Sequence, residues 1–157
     1  MPDIAIHPAA ASDVPAIHAM IRELAEYEHL LDAVEATEAD LRGALFGPRP
    51  VAEALVAALD GRPVGFALFF HNYSTFVGRP GIHLEDLFVR PAARGHGVGK
   101  ALMLRVIEIA RERRCGRVEW AALKWNSAAI RFYELLGAKA MEEWQLFRLT
   151  REGMERL

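Results

Sequence analysis

Residues 84–103, LEDLFVRPAARGHGVGKALM, contain the transition that decides the fold: an apolar strand, a glycine-rich turn and the start of an amphipathic helix. The strand is predicted to end at Val89 and the helix to begin near Gly97. Glycines let a backbone approach a ligand, and the first N–H groups of a helix are free to donate. Together with the helix dipole, these donors suit an anion such as a pyrophosphate. The alternative is a plain glycine-rich turn that starts a core helix.

The sequence of this turn does not match either of two common nucleotide-binding motifs. The pattern G-x-x-x-x-G-K-[ST] would need a glycine where Arg94 stands and a hydroxyl where Ala101 stands. The pattern G-x-G-x-x-G starts at Gly95 and Gly97 but meets Lys100 at its third glycine position. The turn therefore keeps the physical features of an anion site without either nucleotide signature, and Arg94 and Lys100 are expected to add positive charge.

Outward from this stretch, the hydrophobic pattern switches between helical and strand periods. Helices are predicted over residues 12–31, 37–47, 97–114 and 126–137. Strands are predicted over residues 4–6, 51–59, 63–73, 82–89, 117–123 and 142–149. Asp60-Gly61 is a hairpin-turn signal, and Thr37 with Asp40 predicts a capping box. We therefore expect an antiparallel meander over residues 51–89, followed by a parallel strand–helix–strand crossover.

Length, composition and charge limit the function. The 157 residues favour one domain over residues 1–157, with the 52% hydrophobic and 25% charged content of a globular protein. A net charge of −2 does not favour nucleic-acid binding. The sequence shows no signal-peptide pattern and no membrane-length apolar run, and its single cysteine fits a reducing compartment, so we expect a cytoplasmic protein without a membrane partner. The histidines do not pair at metal-ligand spacing, so no metal is expected.

The R-x-x-G-x-G spacing that begins at Arg94, directly after the strand LEDLFV, resembles the acetyl-CoA motif of the GCN5-related N-acetyltransferase superfamily. The resemblance extends over nearly the whole chain. Residues 6–28, 84–103, 125–138 and 142–149 are similar to the diamine (spermidine/spermine) acetyltransferase branch. The strand LEDLFV and the combination of Trp125-Asn126 with Phe132-Tyr133 are the more specific parts of this likeness.

The resemblance implies an α/β fold, in which a splayed mixed sheet is flanked by helices. Acetyl-CoA, as co-substrate, would lie in a V-shaped opening between the strand of Glu85 and the strand of Trp120. Backbone groups of residues 87–89 would hold the pantetheine and acetyl ends, and residues 95–100 would wrap the pyrophosphate. The residues implied to contact it are Leu87, Phe88, Val89, Arg94, Gly95, His96, Gly97, Val98, Gly99, Lys100, Asn126, Ser127, Ala128, Ala129 and Tyr133.

Amine acetylation needs a group that removes a proton, because amines are mostly protonated at neutral pH. Glu85 is our candidate base, directly or through water, since carboxylates are uncommon in an apolar strand; a solvated strand edge is the alternative. Strand alternation predicts that Glu85 and Asp86 point to opposite faces. Tyr133 is the candidate acid for the departing thiolate and shares a helix face with Asn126 and Ala129. A helical tyrosine is otherwise more often a packing residue.

The resemblance also implies an acidic pocket for a cationic substrate. The candidate substrate-binding residues are Tyr27, Glu28, Glu85, Asp86, Glu119 and Trp120. His83 alternates onto the face of Glu85 and is a possible neighbour of the amine. Lys124 departs from the diamine branch, which carries an acidic residue there, and the segment from Gly137 to Trp144 is shorter than in that branch. Both departures weaken the expectation of spermidine or spermine.

The expected function is transfer of an acetyl group to a primary amine of a small molecule, such as a polyamine or a thialysine-like amine, by a homodimer. One alternative is a protein or peptide N-acetyltransferase, for which residues 71–81 would have to leave an open groove. The other is a non-catalytic acyl-CoA-binding module. Loss of Glu85 or Tyr133 would have favoured that module, but both residues are present.

Overall fold

A computed structural model describes residues 3–157. The chain divides into two compact units, Met1–Ala121 and Ala122–Leu157. The strands are β1 (Ile4–Pro8), β2 (Glu53–Leu59), β3 (Arg62–Ser74), β4 (Arg79–Val89) and β5 (Val118–Glu119). The α-helices are α1 (Val14–Tyr27), α2 (Glu38–Phe46), α3 (Val98–Glu112), α4 (Ser127–Leu135) and α5 (Arg151–Glu155). The assignment of residues 1–157 to one domain stays a prediction.

The strands of the first unit form one mixed sheet in the order β1-β2-β3-β4-β5. The first three pairings are antiparallel, and β4 pairs with β5 in parallel through the α3 crossover. At the turn between β2 and β3, Asp60 and Gly61 have φ angles of +50° and +81°. Two consecutive positive φ angles match the twist of a tight hairpin. The predicted meander, crossover and mixed sheet flanked by helices are confirmed.

The sheet has apolar residues on both faces. On one face, α1 and α2 bury a cluster made with Ala54, Val56, Phe66 and Phe88. On the other face, Gly65 lies against Leu102 of α3, so that a Cβ on this glycine would come within 3.3 Å of the leucine Cδ1. Alternation along β3 therefore assigns its even-numbered residues to the α1–α2 face and its odd-numbered residues to the α3 face.

The capping prediction for α2 is confirmed. The Asp40 N–H donates to the Thr37 hydroxyl at 3.1 Å, and the Thr37 N–H donates to the Asp40 carboxylate at 2.9 Å. These two bonds satisfy donors that the first turn of a helix leaves without a partner. The bond from the Thr37 N–H, and to a smaller extent the Thr37 hydroxyl, lowers the pKa of Asp40, because hydrogen bonds to the carboxylate favour its ionised form.

The strand predicted over residues 117–123 is much shorter in the structure. β5 contains only Val118 and Glu119, which pair with Ile82 and His83. Beyond His83, no β5 residue in the described range 3–157 continues the ladder along β4. A strand requires a partner for its backbone groups, and the two strands stop being neighbours at this point. The end of the pairing is consistent with a splayed sheet.

The prediction of a strand over residues 142–149 is wrong. The second unit contains α4, α5 and connecting segments, and no strand is present in its described residues. Trp144 and Phe147 are 76% and 84% exposed. The apolar alternation in this segment suits a strand, but an isolated strand has no stability without a neighbour, and the unit offers none. Helix α4 ends as predicted at Gly137, whose φ is +92°.

Candidate active site

A β-bulge in β4 brings the predicted substrate carboxylates to one face of the sheet. Leu68 of β3 is opposite Asp86, but the next β3 residue, Phe69, is opposite Leu84, so Glu85 is the extra residue. Leu68 packs against the α1–α2 core, and opposed residues share a face, so Asp86 lies on that face.

Glu85 lies on the same face, because its neighbour His83 does. His83 is opposite Phe70, an even-numbered residue of β3, and its Nε2 is 3.4 Å from Glu85 Oε2. The expectation that Glu85 and Asp86 point to opposite faces is therefore wrong: the bulge interrupts the alternation on which it rested. The expectation that His83 and Glu85 share a face is confirmed.

Burial and like charges act on Asp86. Burial, together with the nearby charges of Glu85 and Glu28, raises the pKa of this carboxyl to about 7, and burial is the largest of these causes. Burial also raises the pKa of Glu28, the residue that follows α1. These three carboxylates form what we call the acidic cluster: Glu28, Glu85 and Asp86. A cation in the cluster would relieve the mutual repulsion.

His83 is held between an aromatic ring and the acidic cluster. Its ring centroid is 5.0 Å from that of Phe70, with an interplanar angle of 31°. On the opposite edge of β4, Glu119 of β5 is the register partner of His83, and Arg117 Nε contacts the Glu119 carboxylate at 3.3 Å. Glu119 is therefore a neighbour of His83 and has a positive partner, and its role in substrate binding stays a prediction.

Arg94 connects the glycine turn to the end of α1. Its guanidinium carbon is 4.9 Å from the centroid of the Tyr27 ring and 5.9 Å from that of Phe88. Its Nε donates to the Val89 carbonyl at 3.0 Å. The side chain therefore orders the predicted substrate residue Tyr27 against the end of β4, a role that the sequence did not indicate. The contact of Arg94 with acetyl-CoA stays a prediction.

Two glycines of the turn have a backbone conformation that other residues rarely adopt. Gly95 and Gly97 have φ angles of +84° and +83°. Apart from the glycine itself and its two chain neighbours, no heavy atom of residues 3–157 lies within 4 Å of a Cβ built on either glycine. Gly97 is the N-cap of α3, and the first N–H to bond back into the helix is that of Ala101, to the Gly97 carbonyl at 3.0 Å. The preceding N–H groups of the helix are available to an anion.

The other predicted contact residues divide into exposed and buried groups. In the turn, His96 and Lys100 are exposed and Val98 is buried, so Val98 offers a ligand only its backbone. Phe88 is also buried, at 4% exposure. Together with Leu87 and Val89 it lies on the part of β4 that β5 does not pair with. That stretch leaves backbone groups for a ligand beside the start of α3.

The predicted residues of α4 and its cap lie in the second unit, whereas Trp120 follows β5 in the first unit and is partly buried. Asn126 caps α4, since its side-chain oxygen accepts from the Ala129 N–H at 3.3 Å. Ser127 and Ala128 are exposed at the start of the helix, and Tyr133 packs its ring 5.6 Å from that of Phe132. Glu85 belongs to the first unit and Tyr133 to the second, so their action at one site stays a prediction.

Sequence reasoning missed the bulge and the contacts of Arg94 and Phe70. One signal was available for the bulge: two adjacent carboxylates in an apolar strand, one of which strict alternation would have buried alone. Among residues 3–157, no group of three or more His, Cys, Asp or Glu side chains is arranged to hold a metal ion. No helix in that range combines the length and apolarity needed to cross a bilayer.

Comparison with known proteins gives a match to a protein family. The model of the Acetyltransferase (GNAT) family matches residues 16–138, which include the acidic cluster, the glycine turn and Tyr133. The match covers more than half of the chain.

Individual relatives match over almost the full chain. Thialysine N-epsilon-acetyltransferase of Sus scrofa is 39% identical over 168 aligned residues, covering 100% of this chain and 98% of its own. Spermidine/spermine N(1)-acetyltransferase-like protein 1 of Homo sapiens is 36% identical, covering 95% of this chain and 23% of its own. The solved structure of an integron cassette protein from the mobile metagenome of V. cholerae superposes with a TM-score of 0.80 at 26% identity, covering 98% of this chain and 96% of that one.

Proposed function

The chain belongs to the acetyltransferase (GNAT) family, and from this premise we propose that it transfers the acetyl group of acetyl-CoA to a primary amine of a small molecule. It is an acetyltransferase with relatives in the diamine acetyltransferase-like branch. The observation that carries the choice of an amine is the acidic cluster at the end of α1 and the bulge of β4. Three carboxylates, one with its pKa raised to about 7, make a site that a cation stabilises.

The residues around the glycine turn fit acetyl-CoA. The turn ends at a 15-residue helix whose first N–H groups are free, and Gly95 and Gly97 leave the space that side chains would fill. These groups would bind the pyrophosphate, and the exposed Lys100 would add charge. Backbone groups of Leu87, Phe88 and Val89 would hold the pantetheine arm and the acetyl carbonyl. When bound, acetyl-CoA supplies the acetyl group as a thioester.

Glu85 is the base in this proposal. It would accept the proton that the substrate ammonium must lose, directly or through one water molecule. The contact of His83 Nε2 with Glu85 Oε2 supports a carboxylate held in one position. Asp86 and Glu28 would keep the ammonium beside Glu85 until the proton leaves. Tyr133 is the proposed acid, and its hydroxyl would donate a proton to the departing sulfur.

The substrate is proposed to be a small amine because of the relatives. One of them is named for acetylating thialysine on its ε-nitrogen. Lys124, where the sequence comparison led us to expect an acidic residue in a diamine enzyme, favours an amine with fewer positive charges than spermine. The single cysteine, Cys115, fits a cytoplasmic enzyme, which is the location we propose.

The experiment that tests the function measures thiol release from acetyl-CoA with a panel of acceptors. The panel contains thialysine, lysine, putrescine, spermidine, spermine, an aminoglycoside and a basic peptide. We expect release with small amines and little with the peptide. Release with the peptide alone would replace the proposal by protein acetylation. Binding of acetyl-CoA without release from any acceptor would indicate a non-catalytic acyl-CoA-binding module.

We also propose that the enzyme is a homodimer, because the second unit exposes large apolar side chains. Leu135, Trp144, Leu146 and Phe147 are each more than 70% exposed. Exposed apolar surface of this kind is typical of an interface. Light scattering coupled to size-exclusion chromatography measures the mass directly, and a monomer at all concentrations would contradict the proposal.

A further inference from the structure

A second depression lies on the α1–α2 face of the sheet, away from the glycine turn. It is an open groove of about 560 Å³ where α2 ends above the ends of β2 and β3. Its apolar lining includes Leu45, Phe46, Val51, Ala52 and Phe70. Nothing in the proposed reaction uses these residues.

The two polar residues of the lining, Glu53 and His71, bond to partners on the α3 side of the sheet. Glu53 receives two hydrogen bonds from Arg113, at 2.6 and 2.7 Å, and these bonds lower the pKa of its carboxyl. His71 bonds to the Gly81 carbonyl through Nδ1 at 3.0 Å and to Arg113 through Nε2 at 2.9 Å. The carboxylate is therefore neutralised and the imidazole is occupied at both nitrogens. A ligand in the groove would meet an apolar surface with no free counter-charge for an ammonium group.

Aromatic contacts join the groove to the acidic cluster. Phe70 lines the groove and stacks on His83, with 5.0 Å between the ring centroids. His83 in turn contacts Glu85 at 3.4 Å. All three side chains lie on one face of the sheet, so the rings of His83 and Phe70 lie between Glu85 and the groove.

We propose that this groove binds the uncharged, apolar body of the amine substrate, with the reacting nitrogen at the acidic cluster. The inference rests on the proposed function and deepens it by naming the substrate class: an alkyl or aryl primary amine. An ammonium in the groove would lose its hydration without gaining a partner. Methylene groups, in contrast, gain from leaving water. The groove therefore discriminates against polyamines and in favour of monoamines of the same length.

The test uses unbranched primary alkylamines from propylamine to octylamine, and α,ω-diamines of the same lengths, with kcat/KM as the readout. We expect kcat/KM for monoamines to rise about fourfold per methylene once the chain passes the His83 ring, the ratio expected for a buried CH₂. Diamines of the same length should not rise. Equal or better activity with long diamines in the unmodified enzyme would overturn the proposal.

A charge introduced at the groove gives the decisive comparison. Val51 lines the groove, is 70% exposed and lies outside the catalytic machinery, so its replacement spares the fold. In Val51→Asp, kcat/KM for monoamines should no longer rise with chain length, and kcat/KM for long diamines should increase. In the neutral control Val51→Asn, kcat/KM for monoamines should also stop rising with chain length, but kcat/KM for long diamines should not increase. Propylamine, too short to reach the groove, should react at the same rate in all three proteins.

Failure of this inference is distinguishable from failure of the proposed function. If no amine releases thiol from acetyl-CoA, the acetyltransferase proposal itself fails. If propylamine and octylamine react equally well, and Val51→Asp changes neither, then the function stands and the groove is not a substrate site. Calorimetric titration of octylamine into the Val51→Asp and Val51→Asn variants without acetyl-CoA should show weaker binding to the aspartate variant, and equal binding would also overturn the groove assignment.

Discussion

The glycine turn follows strand β4, and two of the three residues of the acidic cluster lie within that strand, but the turn and the cluster arise in different ways. The turn depends on local sequence. Gly95 and Gly97 adopt positive φ angles because glycine has no Cβ, and α3 begins directly after Gly97, near the position predicted from the sequence. The cluster is non-local: it needs the register between β3 and β4, which displaces Glu85, and the end of α1, which supplies Glu28. In our proposal the turn binds an anion and the cluster binds a cation, so a substitution in one should leave the function of the other intact.

The largest expected effect separates chemistry from cofactor binding. Glu85→Gln should lower kcat about 100-fold or more at neutral pH, because the ammonium loses its proton acceptor. The KM for acetyl-CoA should stay unchanged, since the turn is untouched. Steady-state kinetics with both substrates varied measures the two constants. Glu35→Gln, at an exposed carboxylate outside the cluster, is the matched control. Unchanged kcat in Glu85→Gln would remove this residue from the mechanism.

The second effect concerns the stability of the cluster against pH. The pKa of Asp86 rises from 3.8 in the unfolded chain to about 7 in the folded protein. Between these values only the unfolded chain ionises, so the contribution of Asp86 to folding falls as pH rises through this window and is constant above it.

Asp86→Asn removes that loss. We consider the unfolding free energy of the variant minus that of the unmodified protein. This difference should increase by about 2 kcal/mol between about pH 4 and about pH 8, as expected for a partly solvated buried carboxyl. Urea denaturation at several pH values measures the difference. Glu35→Gln should show a flat difference across the same range, and a flat profile for Asp86→Asn would contradict the assigned burial.

The third effect tests the turn. Gly97→Ala places a Cβ on a backbone with φ of +83° and should cost about 1 kcal/mol of stability. Gly99→Ala, two residues on, lies within α3, where the new Cβ meets Val89 Cγ2 at an ordinary 3.6 Å. Because alanine favours a helix, this control should be neutral or stabilising by about 0.5–1 kcal/mol. Thermal denaturation of both variants checks the prediction, and equal destabilisation would show that the positive φ is not the constraint.

The same contrast explains how much of the molecule the sequence predicts. Hairpin Asp60-Gly61, the Thr37–Asp40 cap and the strand–turn–helix around Gly97 each depend on neighbours in sequence, and each was predicted. The face of Asp86 was not, because a bulge is a property of two paired strands and alternation describes only one. The strand prediction for the exposed segment around Trp144 is wrong for the same reason. The pattern of this segment suits a strand, but no segment of its own unit pairs with it.

The smallest expected effect concerns His83, the residue of β4 that contacts Glu85 of the acidic cluster. His83→Phe keeps an aromatic ring for the stack on Phe70 but removes the contact with Glu85 Oε2. If His83 only positions Glu85, kcat should fall about threefold, well below the loss that removal of a general base causes. His83→Gln, which keeps a polar group near the carboxylate, should recover part of that loss.

A loss in His83→Phe as large as that in Glu85→Gln would mean that the imidazole takes part in proton transfer. The two residues would then act as one unit, and their double variant would be no slower than either single variant. Additive losses in the double variant would instead mean that His83 acts independently of Glu85, which would contradict a positioning role. The acetyl-CoA KM serves as the internal control in both cases, because the turn that we propose to bind the pyrophosphate does not depend on the register of the bulge.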